Sequence, residues 1–97
     1  MTKFMKIELK KFGAVLTSRP AGKEAYLSAR AYLLPKDKNE KVEIDFSNVQ
    51  VLSPSWADEF ITPIKNDLGD NLTLLPSDNS SVKASLEILE EQHERGK

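Results

Sequence analysis

The clearest pattern of apolar and polar positions lies in the middle of the chain. Val42, Ile44 and Phe46 alternate with the acidic residues Glu43 and Asp45, which is the period-two pattern of a β-strand. The acidic positions indicate that one face or one end of this strand stays in contact with solvent. The pattern therefore predicts a strand at the centre of the fold with one solvent-exposed face or end.

A helix is predicted directly after this strand. The apolar pattern stops at the serine-rich turn Ser53-Pro54-Ser55, because proline removes a ladder donor and disfavours helix for the residue before it. With Ser55 as the N-cap, Asp58 takes the third helical position of a capping box. The apolar residues that follow repeat at helical spacings, namely Ala57, Phe60, Ile61, Ile64 and Leu68. Pro63 lies inside this stripe and predicts a kink or an early break near Ile61.

The residues before the central strand predict one or two strands and a helix. Phe4, Ile7 and Leu9 give an imperfect alternation, since Met5 breaks the phase. Residues 14–16 form a short apolar segment that fits a second strand. Ser18 is a plausible helix start, and the helix is expected to run to about residue 34 with one apolar stripe, formed by Gly22, Ala25, Tyr26, Ala29, Tyr32 and Leu33.

The last part of the chain predicts a strand and a helix. Residues 71–75 form a short apolar segment that ends at Pro76, and the polar residues 77–81 supply several candidate N-caps. The buried face of the last helix is expected to contain Val82, Leu86, Leu89 and His93.

The order of these elements predicts one small α/β domain over residues 1–97. Strands that alternate with helices favour a sandwich with a mixed, mostly parallel sheet. We expect about four strands and about three helices, with the helices covering one face of the sheet.

Composition narrows the classes of function. The chain has no cysteine, which excludes disulfides and thiolate metal sites and favours a cytoplasmic location. Fourteen basic and fifteen acidic residues leave no electrostatic reason to expect nucleic acid or a membrane surface as a partner. The first residues are interrupted by charges and lack the apolar core of a signal peptide.

The residues whose side chains could act in catalysis do not form a recognisable catalytic set. His93 is the only histidine, and it lies forty residues after the serine turn, so a serine–histidine–acid arrangement is not expected. Two roles are open for Trp56: a core residue or a partly accessible interface anchor. Asp45, Asp58 and a turn serine form the alternative hypothesis, a small enzyme or a ligand- or nucleotide-binding protein. We expect neither a cofactor nor a metal ion.

The segment IDFSNVQVLSPSWADEF resembles the STAS domain of anti-sigma factor antagonists. It is more similar to a STAS-like domain family of unknown function, whose turn reads serine-x-serine-aromatic-alanine-aspartate-glutamate. Six residues carry this likeness: Ser53, Ser55, Trp56, Ala57, Asp58 and Glu59. Phe12-Gly13 and Thr17-Ser18-Arg19 also resemble the earlier part of that family, and the likeness extends from about residue 12 to residue 90.

The resemblance implies a STAS-like α/β domain in bacterial-type signalling that binds a partner protein, often near ATPase domains of the histidine-kinase type. In anti-sigma factor antagonists the turn carries a phosphoacceptor serine. Aligned through Asp45, that position holds Pro54, so the candidate phosphoacceptors are the neighbouring Ser53 and Ser55. We expect Ser55 to be mainly structural, because Asp58 and Glu59 would repel a phosphate there.

These observations favour a non-enzymatic regulatory module that contacts a protein partner through the segment from Ser53 to Phe60. The expected contact residues are Ser53, Ser55, Trp56, Asp58 and Glu59. The oligomeric state does not follow from the sequence.

Overall fold

The structure is a computed structural model that describes residues 4–37 and 39–95, with side chains described as far as Gln92. The helices and strands follow the predicted order, with one further short strand, Val51–Leu52, between the central strand and the second helix. The five strands are β1 (Phe4–Glu8), β2 (Val15–Leu16), β3 (Lys41–Asp45), β4 (Val51–Leu52) and β5 (Leu72–Leu74). The three helices are α1 (Arg19–Tyr32), α2 (Pro54–Leu68) and α3 (Ser80–Arg95). The predicted α/β class, with three helices and mostly parallel strands, is confirmed.

The main sheet has three parallel strands in the order β1-β3-β5. Ile7 pairs with Ile44, and Ile44 pairs with Leu74, so that these side chains share one face. Ile7 and Ile44 are buried, as are Val42 and Phe46. The predicted alternation in β3 is therefore correct, and this face meets the helices. In β1, Met5 is in phase with Ile7, whereas Phe4 is exposed.

The opposite face of the main sheet stays open to solvent, as the acidic positions predicted. Its side chains are exposed or half-buried, and they are Phe4, Lys6, Glu8, Lys41, Glu43, Asp45 and Thr73. An ion pair crosses two strands on this face, with 3.4 Å between Lys6 Nζ and Asp45 Oδ2. A parallel sheet with one uncovered face is unusual, and charged side chains make it compatible with water.

A turn after β3 separates a second, two-stranded sheet from the first. Asp45 Oδ1 accepts hydrogen bonds from the backbone N–H of Ser47 at 2.9 Å and from its hydroxyl at 2.7 Å. Asn48 follows with a φ of 67°, a conformation that asparagine tolerates better than most residues. The chain then forms β4, which pairs with β2 in parallel. The short strand predicted at residues 14–16 is confirmed, and the total is three plus two strands.

The predicted stripe of α1 is correct except at its end. Gly22, Ala25 and Ala29 are buried and Tyr26 is half-buried. Tyr32 is 86% exposed, because it occupies the last residue of the helix. Its periodic position therefore does not place it in the core.

Helix α2 continues through Pro63, so the predicted early break near Ile61 is wrong. The helix runs to Leu68 and ends at Gly69, whose φ of 56° suits glycine. Its buried side chains continue on both sides of the proline as Trp56, Ala57, Phe60, Ile61, Ile64 and Leu68. Burial of this stripe offsets the loss of one backbone hydrogen bond at Pro63.

Polar side chains fasten the start of α3 to β4. Asn79 Oδ1 accepts a hydrogen bond from the N–H of Val82 at 3.0 Å, and its Nδ2 donates to the carbonyls of Val49 and Gln50. The Ser81 hydroxyl accepts from the N–H of Leu52, and Ser81 and Ser85 both donate to the Leu52 carbonyl. These bonds occupy the side of β4 that faces away from β2.

Val82 and Leu89 of α3 are buried and Leu86 is half-buried, as predicted. The predicted inward position of the His93 side chain lies outside the described residues. The apolar face of α3 is therefore correct over Val82 to Leu89.

Candidate functional site

Two parallel strands lead into two helices that begin side by side. Strand β2 is followed by α1, and β4 is followed by α2. The N–H of Ser53 donates to the carbonyl of Leu16 at 2.9 Å, which joins the two connections at the point where both helices begin. Loop residues and first helical turns at the carboxyl ends of parallel strands are a common position for binding sites in α/β proteins.

A serine caps each of these helices. Ser18 Oγ accepts a hydrogen bond from the N–H of Ala21 at 3.3 Å, as predicted for α1. Ser53 Oγ accepts from the N–H of Trp56 at 3.1 Å, so Ser53 and not Ser55 is the N-cap of α2. The predicted cap is therefore wrong by two residues. Proline is favoured at the first helical position, since its missing N–H would have no partner there, and Pro54 lies inside the helix rather than before it.

The corrected cap also changes the role of Asp58. Counted from Ser53, Asp58 lies in the second helical turn, and the predicted capping box does not form. Ser55 occupies the second helical position and is half-buried.

The two serines should differ in their effect on stability. Ser53→Ala removes the acceptor for an N-terminal N–H of α2 and is expected to lower the free energy of unfolding by about 1 kcal/mol. Ser55→Ala is the matched control and should change it by less than about 0.5 kcal/mol. Urea unfolding of both variants measures the difference. A larger loss in Ser55→Ala than in Ser53→Ala would restore Ser55 as the cap.

Helices α1 and α2 approach each other closely near these ends. A Cβ atom added to Gly22 would lie 2.5 Å from the carbonyl oxygen of Trp56 and 2.9 Å from its Cα. Both atoms belong to the backbone, so only a glycine permits this distance between the helices. The close contact holds the start of α2 against the first turns of α1.

Trp56 belongs to the core, which is the first of its two open roles. The side chain is 2% exposed, and its ring stacks on Phe60 with 4.9 Å between centroids. Phe12 packs against both rings, at 6.2 Å from Trp56 and 5.4 Å from Phe60. Because its apolar surface is already covered by the protein itself, Trp56 offers little area to a partner, and its expected partner contact stays a prediction.

A charged cluster on the surface of the domain joins α1 to α2. Arg19 Nη1 lies 3.0 Å from Asp58 Oδ2 and 3.0 Å from Glu59 Oε2. Thr62 Oγ1 donates to Asp58 Oδ1 at 2.8 Å. The Arg19 side chain is 54% exposed, and those of Asp58 and Glu59 are partly exposed. The hydrogen bonds that Arg19 donates to Asp58 and then to Glu59 raise the pKa of Arg19, which keeps it charged.

Sequence reasoning placed Asp58 and Glu59 in the site but did not include Arg19. The ion pairs connect residues 39 and 40 positions apart, and no local pattern indicates a contact over that distance. The available signals were the position of Arg19 beside the cap Ser18 and its place in the segment Thr17-Ser18-Arg19.

Asp45 has a different set of contacts, which bears on the alternative hypothesis. The hydroxyl of Ser47, then its backbone N–H, and the nearby Lys6 lower the pKa of Asp45. These contacts close the turn after β3, whereas the carboxylate of Asp58 contacts Arg19 and Thr62. Among the described side chains, those of residues 4–37 and 39–92, no group of three or more His, Cys, Asp or Glu is placed to hold a metal ion.

Comparison with protein families gives a match over the centre of the chain. The model of the STAS-like domain of unknown function (DUF4325) matches residues 30–81, which is more than half of the 97 residues. The chain belongs to this STAS-like family. The matched residues of the STAS-like domain contain β3, β4, α2 and β5, and with them the N-cap Ser53 and the first turns of α2 as far as Glu59. Phe12-Gly13 and the segment with Arg19 lie outside the match.

Other comparisons add no relatives to the STAS-like domain: neither the curated proteins nor the solved structures give a match. None of the helices in the described part of the chain has both the length and the apolar character that crossing a membrane requires.

Proposed function

We propose that this STAS-like domain is a non-enzymatic regulatory module that binds a partner protein in the cytoplasm. Its contact surface is the outer side of the corner where α1 and α2 begin, which we call the corner surface. It consists of Ser18, Arg19, Ser55, Asp58 and Glu59. The observation that carries the proposal is the charged cluster in which Arg19 holds Asp58 and Glu59, since it is fixed in position and still partly exposed.

The physical character of the corner surface favours a protein as the partner. A positive and two negative groups lie together on rigid helices, and such an arrangement gives specificity and orientation to a protein contact. The aromatic group of Phe12, Trp56 and Phe60 packs α2, on which Asp58 and Glu59 lie, against the segment before β2. The hydroxyl of Ser53 is used as a helix cap and the carboxylate of Asp58 in contacts with Arg19 and Thr62, which favours a binding role over a catalytic one.

The family resemblance suggests a histidine-kinase-type ATPase as the partner class, and we include it as part of the proposal. Whether Ser53 or Ser55 accepts a phosphate stays a prediction, and we expect that neither does. Because the hydroxyl of Ser53 is used as the helix cap, Ser55 is the serine whose phosphorylation would contradict this expectation most directly.

Charge reversal on α2 tests the corner surface. Glu59→Lys places a second positive group beside Arg19 and should abolish capture of the partner. Asp67→Lys is the matched control, because it makes the same change of charge on the same helix at an exposed residue outside the corner. The measurement is quantitative affinity capture from cells that express the protein, with circular dichroism to check that both variants fold.

The expected result is that wild type and Asp67→Lys capture the same proteins, including the ATPase, and that Glu59→Lys loses them. An identical set of captured proteins for all three would remove the corner surface as the contact.

A further inference from the structure

A groove of about 670 Å³ lies between α2, the end of β5 and α3. Three of its residues, Ile61, Val82 and Leu89, are buried and form its floor. Leu74, Leu75 and Leu86 are half-buried in its walls. The groove thus exposes apolar surface that the rest of the domain does not cover.

Strand β5 borders this groove and is an edge strand of the main sheet. An edge strand presents backbone groups that can pair with another chain, and proteins normally protect such edges. The three residues Leu72–Leu74 are only partly covered, with Thr73 exposed. Leu74 belongs to both this edge strand and the lining of the groove.

The rim of the groove carries charged side chains, and a binding partner must be complementary to them. Lys65 lies on the α2 wall, and Lys83, Glu87 and Glu90 lie on α3. All four residues are exposed, and none of them forms an ion pair with another described residue. Lys83, Glu87 and Glu90 are spaced by four and three residues, so they follow one stripe of the helix.

This stripe is complementary to itself when two copies meet in opposite directions. An antiparallel contact of two α3 helices, centred between Leu86 and Glu87, brings Lys83 of each copy to the position of Glu90 of the other. A two-fold axis produces both pairs at once, as in the isologous interfaces of symmetric dimers. The half-buried Leu86 lies beside this axis and can enter the apolar groove of the partner copy.

We propose that the domain forms a symmetric homodimer through this groove, with antiparallel α3 helices and reciprocal pairs between Lys83 and Glu90. The residues that line the groove include no residue of the corner surface. The dimer is therefore independent of the proposed function, and either can fail without the other.

Charge reversal at Lys83 and at Glu90, the two residues of each proposed ion pair, tests the proposal. Lys83→Glu and Glu90→Lys each place like charges opposite each other twice per dimer, and each should weaken self-association about tenfold or more. An equimolar mixture of the two variants should associate again. In the mixed dimer, the introduced carboxylate of one chain faces the introduced ammonium of the other, and the two native residues face each other as well.

Sedimentation velocity of the purified chain, over a wide range of concentrations, gives the dissociation constant of each sample. Lys23→Glu on α1 is the control and should match wild type. The mixing result does not depend on the stability of either variant, because a misfolded chain would not regain association. Wild type that remains a monomer throughout would overturn the proposal, as would a mixture that dissociates like its separate components.

Discussion

Trp56→Ala is expected to lower the free energy of unfolding by about 3–5 kcal/mol. The side chain is 2% exposed and packs against Phe60 and Phe12, so its removal leaves a cavity between α2 and the turn before β2. Small domains are stable by only about 5–15 kcal/mol, and the variant should lose a large part of that. Chemical unfolding, followed by circular dichroism, measures the change.

Tyr32→Ala is the matched control for this result. It removes an aromatic side chain of similar size that is 86% exposed, and the expected loss is below about 0.5 kcal/mol. Similar losses in both variants would contradict the core position of Trp56 and return its side chain to the candidates for partner contact.

Ile64→Ala is expected to lower the free energy of unfolding by about 2–5 kcal/mol. Ile64 is 0% exposed and directly follows Pro63, so its burial depends on the continuation of α2 through the proline. A break at Ile61 would have turned this residue away from the sheet. Urea unfolding gives the value.

Ile88→Ala makes the same substitution on α3 at a residue that is 39% exposed, and it should cost much less. If Ile64→Ala were no more destabilising than Ile88→Ala, the phase of α2 after Pro63 would be incorrect.

The parts of the fold that the sequence predicted depend on local periodicity. Val42, Ile44 and Phe46 alternate in β3, and Ala57, Phe60 and Ile64 recur at helical spacing in α2. Each pattern reports the side of one element that is buried, and each is confirmed by the burial of those residues. The three helices and the mainly parallel sheet follow from the order of such elements.

The errors arose where two local rules compete or where an element ends. Either Ser53 or Ser55 could cap α2. Ser53 is the cap, because Pro54 then takes the first helical position, which proline favours. At Pro63 the general cost of proline inside a helix favoured a break, but burial of Ile61 and Ile64 outweighed it. Tyr32 has the helical spacing of the buried residues of α1, but it is the last residue of the helix and its side chain is exposed.

The interactions that complete the candidate site join distant parts of the chain. Arg19 reaches Asp58 and Glu59 across about forty positions, and Ser81 and Ser85 bond to Leu52 across about thirty. Neither set changes the local pattern of apolar residues. A sequence alone therefore indicates the elements and the two acidic members of the charged cluster, and the packing of α1 on α2 supplies the third member, Arg19.

Backbone amide hydrogen exchange tests the proposed function most directly, because it compares the domain alone with the domain bound to its captured partner. Binding at the corner surface predicts slower exchange at residues 17–19 and 53–59, where α1 and α2 begin. Slower exchange confined to residues 72–90, or to the open face of the main sheet at residues 41–45, with no change at the corner, would contradict it.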